Sequence, residues 1–462
     1  MGVGVSSWTL ARRVSQLGQL GVVSGALIAV VFARRLQDGD KDGSLRAAMR
    51  DFPFPAVAER VIADYFVEGG KSPDQPYATC PMPTVDPGAR FTELTVAASF
   101  AEVHLAKKGH DGKVGINLLE KIQLTTLPTL YGAMLAKVDA VLMGAGIPRS
   151  IPGILDLFAS GKGADLRVTV AGEKPGEETR THLVPTQLGE TAPESLPRPT
   201  FLAIVSSATL ATTLARKSNG RVDGFIIESD RAGGHNAPPR GALKLDEKGE
   251  PIYGPRDMPD LSAFRELGLP FWLAGERASA EGLRTAKAEG AVGIQVGTAF
   301  AFCSDSGMRE DLRRDTLRRA LAGGAPVFTD PLASPTGFPF KVAQVPGTLS
   351  EAADYEARQR ICDLGYLREA YRRPDATIGY RCPAEPLANF TRKLGEASEC
   401  TGRKCLCNGL CATIGHAQHR RDGTVEGDLI TAGNDLAKVG RFIPPGKDDY
   451  SAEDVIRSLL AT

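Results

Sequence analysis

Four consecutive residues offer chemistry. Ala232-Gly233-Gly234-His235 follows closely on the apolar run Val222 to Glu228, which reads as a strand. Imidazole titrates near neutral pH, so a histidine there can give or take a proton. The two glycines let backbone approach a flat ring closely. Read as structure alone, the same residues are a turn histidine with satisfied hydrogen bonds. A second set lies downstream in Pro270-Phe271-Trp272-Leu273-Ala274-Gly275 and Gly293-Ile294-Gln295-Val296-Gly297-Thr298. Gly275 and Gly297 would expose backbone N–H groups to a phosphate, and Thr298 adds a hydroxyl. The bland alternative is a pair of ordinary turns. Asn117 ends the run Val114-Gly115-Ile116-Asn117, and its amide can both donate and accept.

The cysteines form another candidate. Six of the eight fall after residue 360. Cys405-Leu406-Cys407 is a close pair, with Cys362 and Cys382 upstream. Four thiolates could hold zinc or an iron–sulfur cluster, and the best four are Cys362, Cys382, Cys405 and Cys407. The C-x-C spacing differs from the usual C-x₂-C, and reduced structural cysteines are the competing reading. No secretory signal is evident, so a disulfide framework is not expected.

These residues need a scaffold that aims them at one place. Eight short apolar runs are candidate strands: Val3–Val5, Gly21–Ser24, Val114–Asn117, Ala140–Met143, Leu202–Ser206, Gly224–Glu228, Pro270–Ala274 and Gly293–Val296. They do not alternate in polarity, as strands buried on both faces do not. Amphipathic segments such as Leu210–Lys217 and Glu281–Glu289 lie between them. That order predicts βαβ units closing into a (β/α)₈ TIM barrel over residues 1–306. Insertions are expected at about 36–112, 160–200 and 236–262. The second should hold a hairpin, Leu166–Val170 against His182–Pro185. Residues 307–462 read as an irregular, cysteine-rich C-terminal extension.

The 462 residues, 42% of them hydrophobic, suffice for a sizeable core. Basic and acidic residues both number 55, so nothing draws the whole chain to nucleic acid or an anionic membrane. The apolar run Gly21 to Ala33 is too short for a membrane span. A cytoplasmic protein is expected, and a homo-oligomer is left open.

The three motifs, in this order, resemble the nitronate monooxygenase (2-nitropropane dioxygenase) family. FMN-dependent enoyl-thioester reductases, including trans-acting ones, belong to the same superfamily. The resemblance implies a TIM barrel with FMN at the strand C-termini. Asn117 would bind the isoalloxazine, and Met1, Gly2 and Val3 would lend backbone contacts. Ser206, Glu228, Gly233 and Gly234 join the cofactor-binding set. Gly275, Gly297 and Thr298 would hold the phosphate, and His235 would be the catalytic acid/base. The family's turn after strand seven is Gly-Gly, whereas here it is Gly275-Glu276. A carboxylate beside a phosphate is unfavourable unless Glu276 points away or Arg277 compensates. Pocket walls are expected from residues 36–112, the 236–262 loop and the Phe338–Phe340 strip. The implied activity is oxidation of a nitronate or nitroalkane with O₂. The alternatives are NAD(P)H-dependent reduction of an enoyl thioester, or a non-catalytic subunit of a complex.

Overall fold

The computed structural model describes residues 2–190 and 192–461. Its centre is a curled sheet of seven parallel strands in sequential order. They are Gly21–Ser24, Val114–Leu119, Ala140–Gly144, Thr200–Val205, Gly224–Glu228, Phe271–Ala274 and Gly293–Gln295. Alternate side chains face opposite ways. Leu142, Leu202 and Ile226 form a small apolar cluster with Ala140 and Ala274. Val23, Ile116, Val141, Phe201, Phe225 and Leu273 belong to the main core with the helices. Burial on both faces explains why these runs are uniformly apolar. Helix starts are capped where the sequence supplies serine. Ser207 Oγ accepts from Leu210 N, and Ser279 Oγ accepts from Gly282 N.

The expected first strand, Val3–Val5, is not one. Residues 3–5 form a turn in which Val5 N donates to Val3 O at 2.7 Å. Gly4 has φ +59°, and a Cβ there would meet Ile414 Cδ1 at 2.5 Å. Val3 and Val5 wedge instead against Leu27, Cys411 and Ile414. Their apolar character serves that contact rather than a strand pairing. Ser6 alone borders the sheet, its carbonyl accepting from Ser24 N at 2.9 Å. The central sheet therefore has seven strands among the described residues, rather than eight. At the seam an apolar cavity of about 400 Å³ is lined by Val22, Leu142, Leu202, Trp272, Ile294 and others.

The segment after Ser24 adds helices Ser44–Arg50, Pro55–Tyr65 and Ala89–Lys107, with an irregular stretch before the last. Strands Ala164–Arg167 and Arg180–Leu183 pair antiparallel as a hairpin. Residues 236–260 are irregular apart from a 3₁₀ turn at Pro255–Asp257. The C-terminal part is not a detached appendage. Val327–Asp330 pairs antiparallel with Phe340–Ala343. Leu436, Phe442, Tyr450 and Ile456 pack with Leu10, Val14 and Phe302. The Glu369–Arg372 strand extends the inserted hairpin region by pairing with Val170–Ala171. No described helix is long and apolar enough to cross a membrane.

Candidate active site

The site forms where the sheet's C-terminal ends meet the last third of the chain. After Gly224–Glu228 the chain turns, with Ser229 N bonded to Ala274 O and Ala232 N to Ser229 O. A Cβ on Gly233 would sit 2.8 Å from Gly433 N, so only glycine fits beneath that segment. Gly234 has φ +83°, which an L side chain resists. Its N–H donates to Thr431 Oγ1 at 3.0 Å, and its carbonyl accepts from Lys341 N at 2.9 Å. His235 then bridges to Phe340, with ring centroids 4.8 Å apart and edge-on. Its Nε2 lies 2.7 Å from Ser334 Oγ, which is itself 2.8 Å from Thr336 Oγ1. Nδ1 has no partner among the described residues.

Two lobes of one groove meet at these glycines. Both are lined by Gly2, Glu228, Gly233, Gly234, Gln295 and Thr431. The first lobe adds Val3, Asn117, His235 and Phe340, with apolar Leu118, Ile204 and Leu406. The second adds Gly275, Gly297, Thr298, Arg231 and Asp435. The sequence-expected residues therefore converge, with three exceptions. Met1 lies outside the described residues. Ser206 lines neither lobe. Of the expected walls, Phe340 of the Phe338–Phe340 strip lines the groove, while residues 36–112 and 236–262 do not; Leu27, Leu118, Ile122, Ile204 and Leu406 supply much of the rest.

The lobe at Gly275, Gly297 and Thr298 differs from expectation. Thr298 Oγ1 is already engaged, accepting from Gly433 N at 2.9 Å and bonding the Asp435 carboxyl. Burial pushes the Asp435 carboxyl above its ordinary range. Glu276 points to cations, but not to Arg277. It bonds Arg231 Nη1 at 2.5 Å and Lys438 Nζ. Burial would raise its pKa, and these two partners outweigh that and lower it. Arg277 pairs with Glu289 at 3.1 Å. Gly297 and Gly234 have nothing within 4 Å of where a Cβ would stand, so the backbone there borders open groove.

Burial governs two titratable groups of the groove, His235 in the first lobe and Glu228 in both. It pushes His235 down to about 4, so the imidazole is neutral at physiological pH. It pushes Glu228 up to about 7, so a large share of that carboxyl is protonated there.

The cysteine reading is corrected. Cys362, Cys382, Cys405 and Cys407 do line one small cavity. Yet no three His, Cys, Asp or Glu side chains among the described residues converge on a metal-sized point.

Ser334, Thr431 and Asp435 were not anticipated. Pro335-Thr336-Gly337 beside Ser334 signalled a turn, but nothing local signalled contact with His235.

No family model and no curated protein matches the chain. Solved structures similar to it include FabK from Thermotoga maritima, at TM-score 0.45 and 14% identity, covering 99% of this chain and 88% of that one. A nitroalkane oxidase from Streptomyces ansochromogenes is similar at TM-score 0.46 and 14% identity, covering 99% and 92%. So is the enoyl reductase domain of MlnA from Bacillus amyloliquefaciens, at TM-score 0.45 and 11% identity, covering 98% and 90%.

Proposed function

We propose that the chain is an FMN-dependent oxidoreductase that oxidises a nitronate with O₂, taking the proton first where the substrate is the neutral nitroalkane. The carrying observation is the placement of His235, which lines the lobe with Asn117 and Phe340, has Nε2 2.7 Å from Ser334 Oγ and is held neutral by burial. An unprotonated ring nitrogen is what removal of a proton from an acidic carbon requires. Ser334 Oγ accepts from Thr336 N at 3.2 Å and lies against Thr336 Oγ1. Nε2–H donating to Ser334 Oγ, with Ser334 donating to Thr336, would fill every position on Ser334 and leave the lone pair on Nδ1.

The groove fits FMN in outline. Asn117 offers a donor and acceptor at one end, and open backbone at Gly234 and Gly297 leaves room along its length. Gly275 and Gly297 would border the phosphate at the other end. Bound FMN would supply the electron sink. Phe340, Leu118 and Ile204 keep the ring end apolar, which favours a neutral base and a delocalised anion over separated charges.

Reduction of an enoyl thioester is a second reading, favoured by Glu228. A carboxyl near pH 7 facing both lobes is a ready proton donor for that addition. Anaerobic mixing separates the two. FMN-loaded protein bleached by a nitronate alone supports oxidation. Bleaching by NADPH and not by nitronate would overturn it in favour of the reductase.

A further inference from the structure

A closed barrel fills its interior with side chains. Here the strands Gly21–Ser24 and Gly293–Gln295 stand at opposite ends of the strand order and do not pair among the described residues. Behind that seam the interior holds the apolar cavity of about 400 Å³. Leu142, Leu202, Ile226 and Trp272 line its sheet side. Helices Trp8–Gln16, Ala280–Ala288 and Ala452–Leu459 border it through Val14, Leu283 and Ile456. Protein interiors are close-packed, with few voids larger than a water molecule. A void this large forfeits contacts along its walls unless an apolar molecule fills it.

The mouth adds two independent signs. Leu20, Val292 and Leu460 line the cavity while 38%, 54% and 51% exposed. Exposed apolar side chains gathered at one opening mark a binding site rather than scattered surface. Lys287 also lines the cavity, is exposed, and its Nζ has no hydrogen-bond or ion-pair partner among the described residues. No acidic side chain is in the lining. A cation at the entrance of an aliphatic chamber suits a molecule with a long apolar chain and an anionic head.

We propose that this cavity binds a medium-chain fatty carboxylate, with the chain inside the sheet and the carboxylate at Lys287. A dry apolar cavity of about 150 Å³ holds benzene, so about 400 Å³ has room for on the order of a dozen carbons. The cavity meets the candidate groove only along a shared wall of Ser6, Leu10, Gln295, Val296 and Phe300. The assignment therefore does not depend on the proposed function, and its test needs no flavin.

Trp272 is one of two tryptophans, and the other, Trp8, packs against the main core and does not line the cavity. In the full chain carrying Trp8→Phe, the emission of Trp272 reports filling directly. Dodecanoate, titrated below its micelle threshold, should change that emission saturably at one molecule per chain. From hexanoate through octanoate to decanoate, Kd should fall by about fourfold per added methylene. Calorimetry on the unsubstituted chain repeats the series if Trp8→Phe fails to fold. Lys287→Glu, at an exposed position, should weaken dodecanoate by about fivefold or more, and Lys287→Arg should restore it. Dodecyltrimethylammonium, with the same chain and a cationic head, should bind more weakly than dodecanoate. Absence of saturable binding, affinity independent of chain length, an unaffected Lys287→Glu, or equal binding of the two head groups would overturn the proposal. So would a Trp272 signal that follows protein concentration alone, which would give the cavity mouth to a second copy of the chain.

Discussion

Replacing Ser334 by alanine isolates the hydrogen bond that holds the base. Ser334 is fully buried, and its Oγ is 2.7 Å from His235 Nε2. The substitution removes one oxygen and leaves Phe340 packed on the imidazole, so the fold should persist. A buried polar atom stripped of its partner costs about 1–3 kcal/mol. The ring can relieve this by rotating, but only by giving up its set orientation against Phe340. At about 1.4 kcal/mol per tenfold in rate, kcat for flavin reduction should fall by about 5-fold to about 150-fold. KM should stay near wild type, because Ser334 does not line the groove. Stopped-flow absorbance at saturating nitroalkane reads the rate, and a thermal melt confirms the fold. A kcat within twofold of wild type, or a loss confined to KM, would refute the positioning role.

Other outcomes follow from the same geometry. Glu228 is raised to about 7 from 4.5 by burial, so the native state binds more protons than the unfolded state between those values. Stability from this group is present below pH 4.5 and is lost as pH rises to 7; Glu228→Gln should flatten that part of the Tm profile. His235 is lowered to about 4 from 6.5, so the native state binds fewer protons and stability falls as pH drops through that window; His235→Gln should flatten it. At Gly275, φ is +101° and a Cβ would meet Ser229 Oγ at 2.1 Å, so Gly275→Ala should weaken FMN binding by about tenfold or more, read by flavin fluorescence. Asp435→Asn keeps an acceptor for Thr298 and removes a carboxylate from the phosphate lobe. It should tighten FMN by about fivefold, the scale of a partly screened charge pair, and weaker binding would contradict this.

What was legible in the sequence was local. Uniformly apolar runs marked seven strands because both faces of each are buried. The Ala232–His235 turn was legible because a glycine pair after a strand reports close backbone approach. What was not legible depended on distance along the chain. Ser334 meets His235 across 99 residues, and Thr431 meets Gly234 across 197. No periodicity or turn chemistry encodes such meetings. Glu276 looked hostile to a phosphate because its partner Lys438 is 162 residues away. Val3–Val5 read as a strand because apolar residues fit a strand and a buried wedge equally well. The cysteine spacing suggested a ligand set, but metal binding needs side chains that converge, and no three do so among the described residues.

In the proposed enzyme one groove holds a flavin ring at Asn117 and His235 and a phosphate at Gly275 and Gly297. Titrating the protein against FMN and against riboflavin, by quenching of flavin fluorescence, tests it directly. The account predicts saturable binding of one FMN per chain, at least about tenfold tighter than riboflavin, since a phosphate bonded by backbone N–H groups contributes more than 1.4 kcal/mol. Absence of saturable FMN binding, or equal affinity for the two flavins, would contradict it.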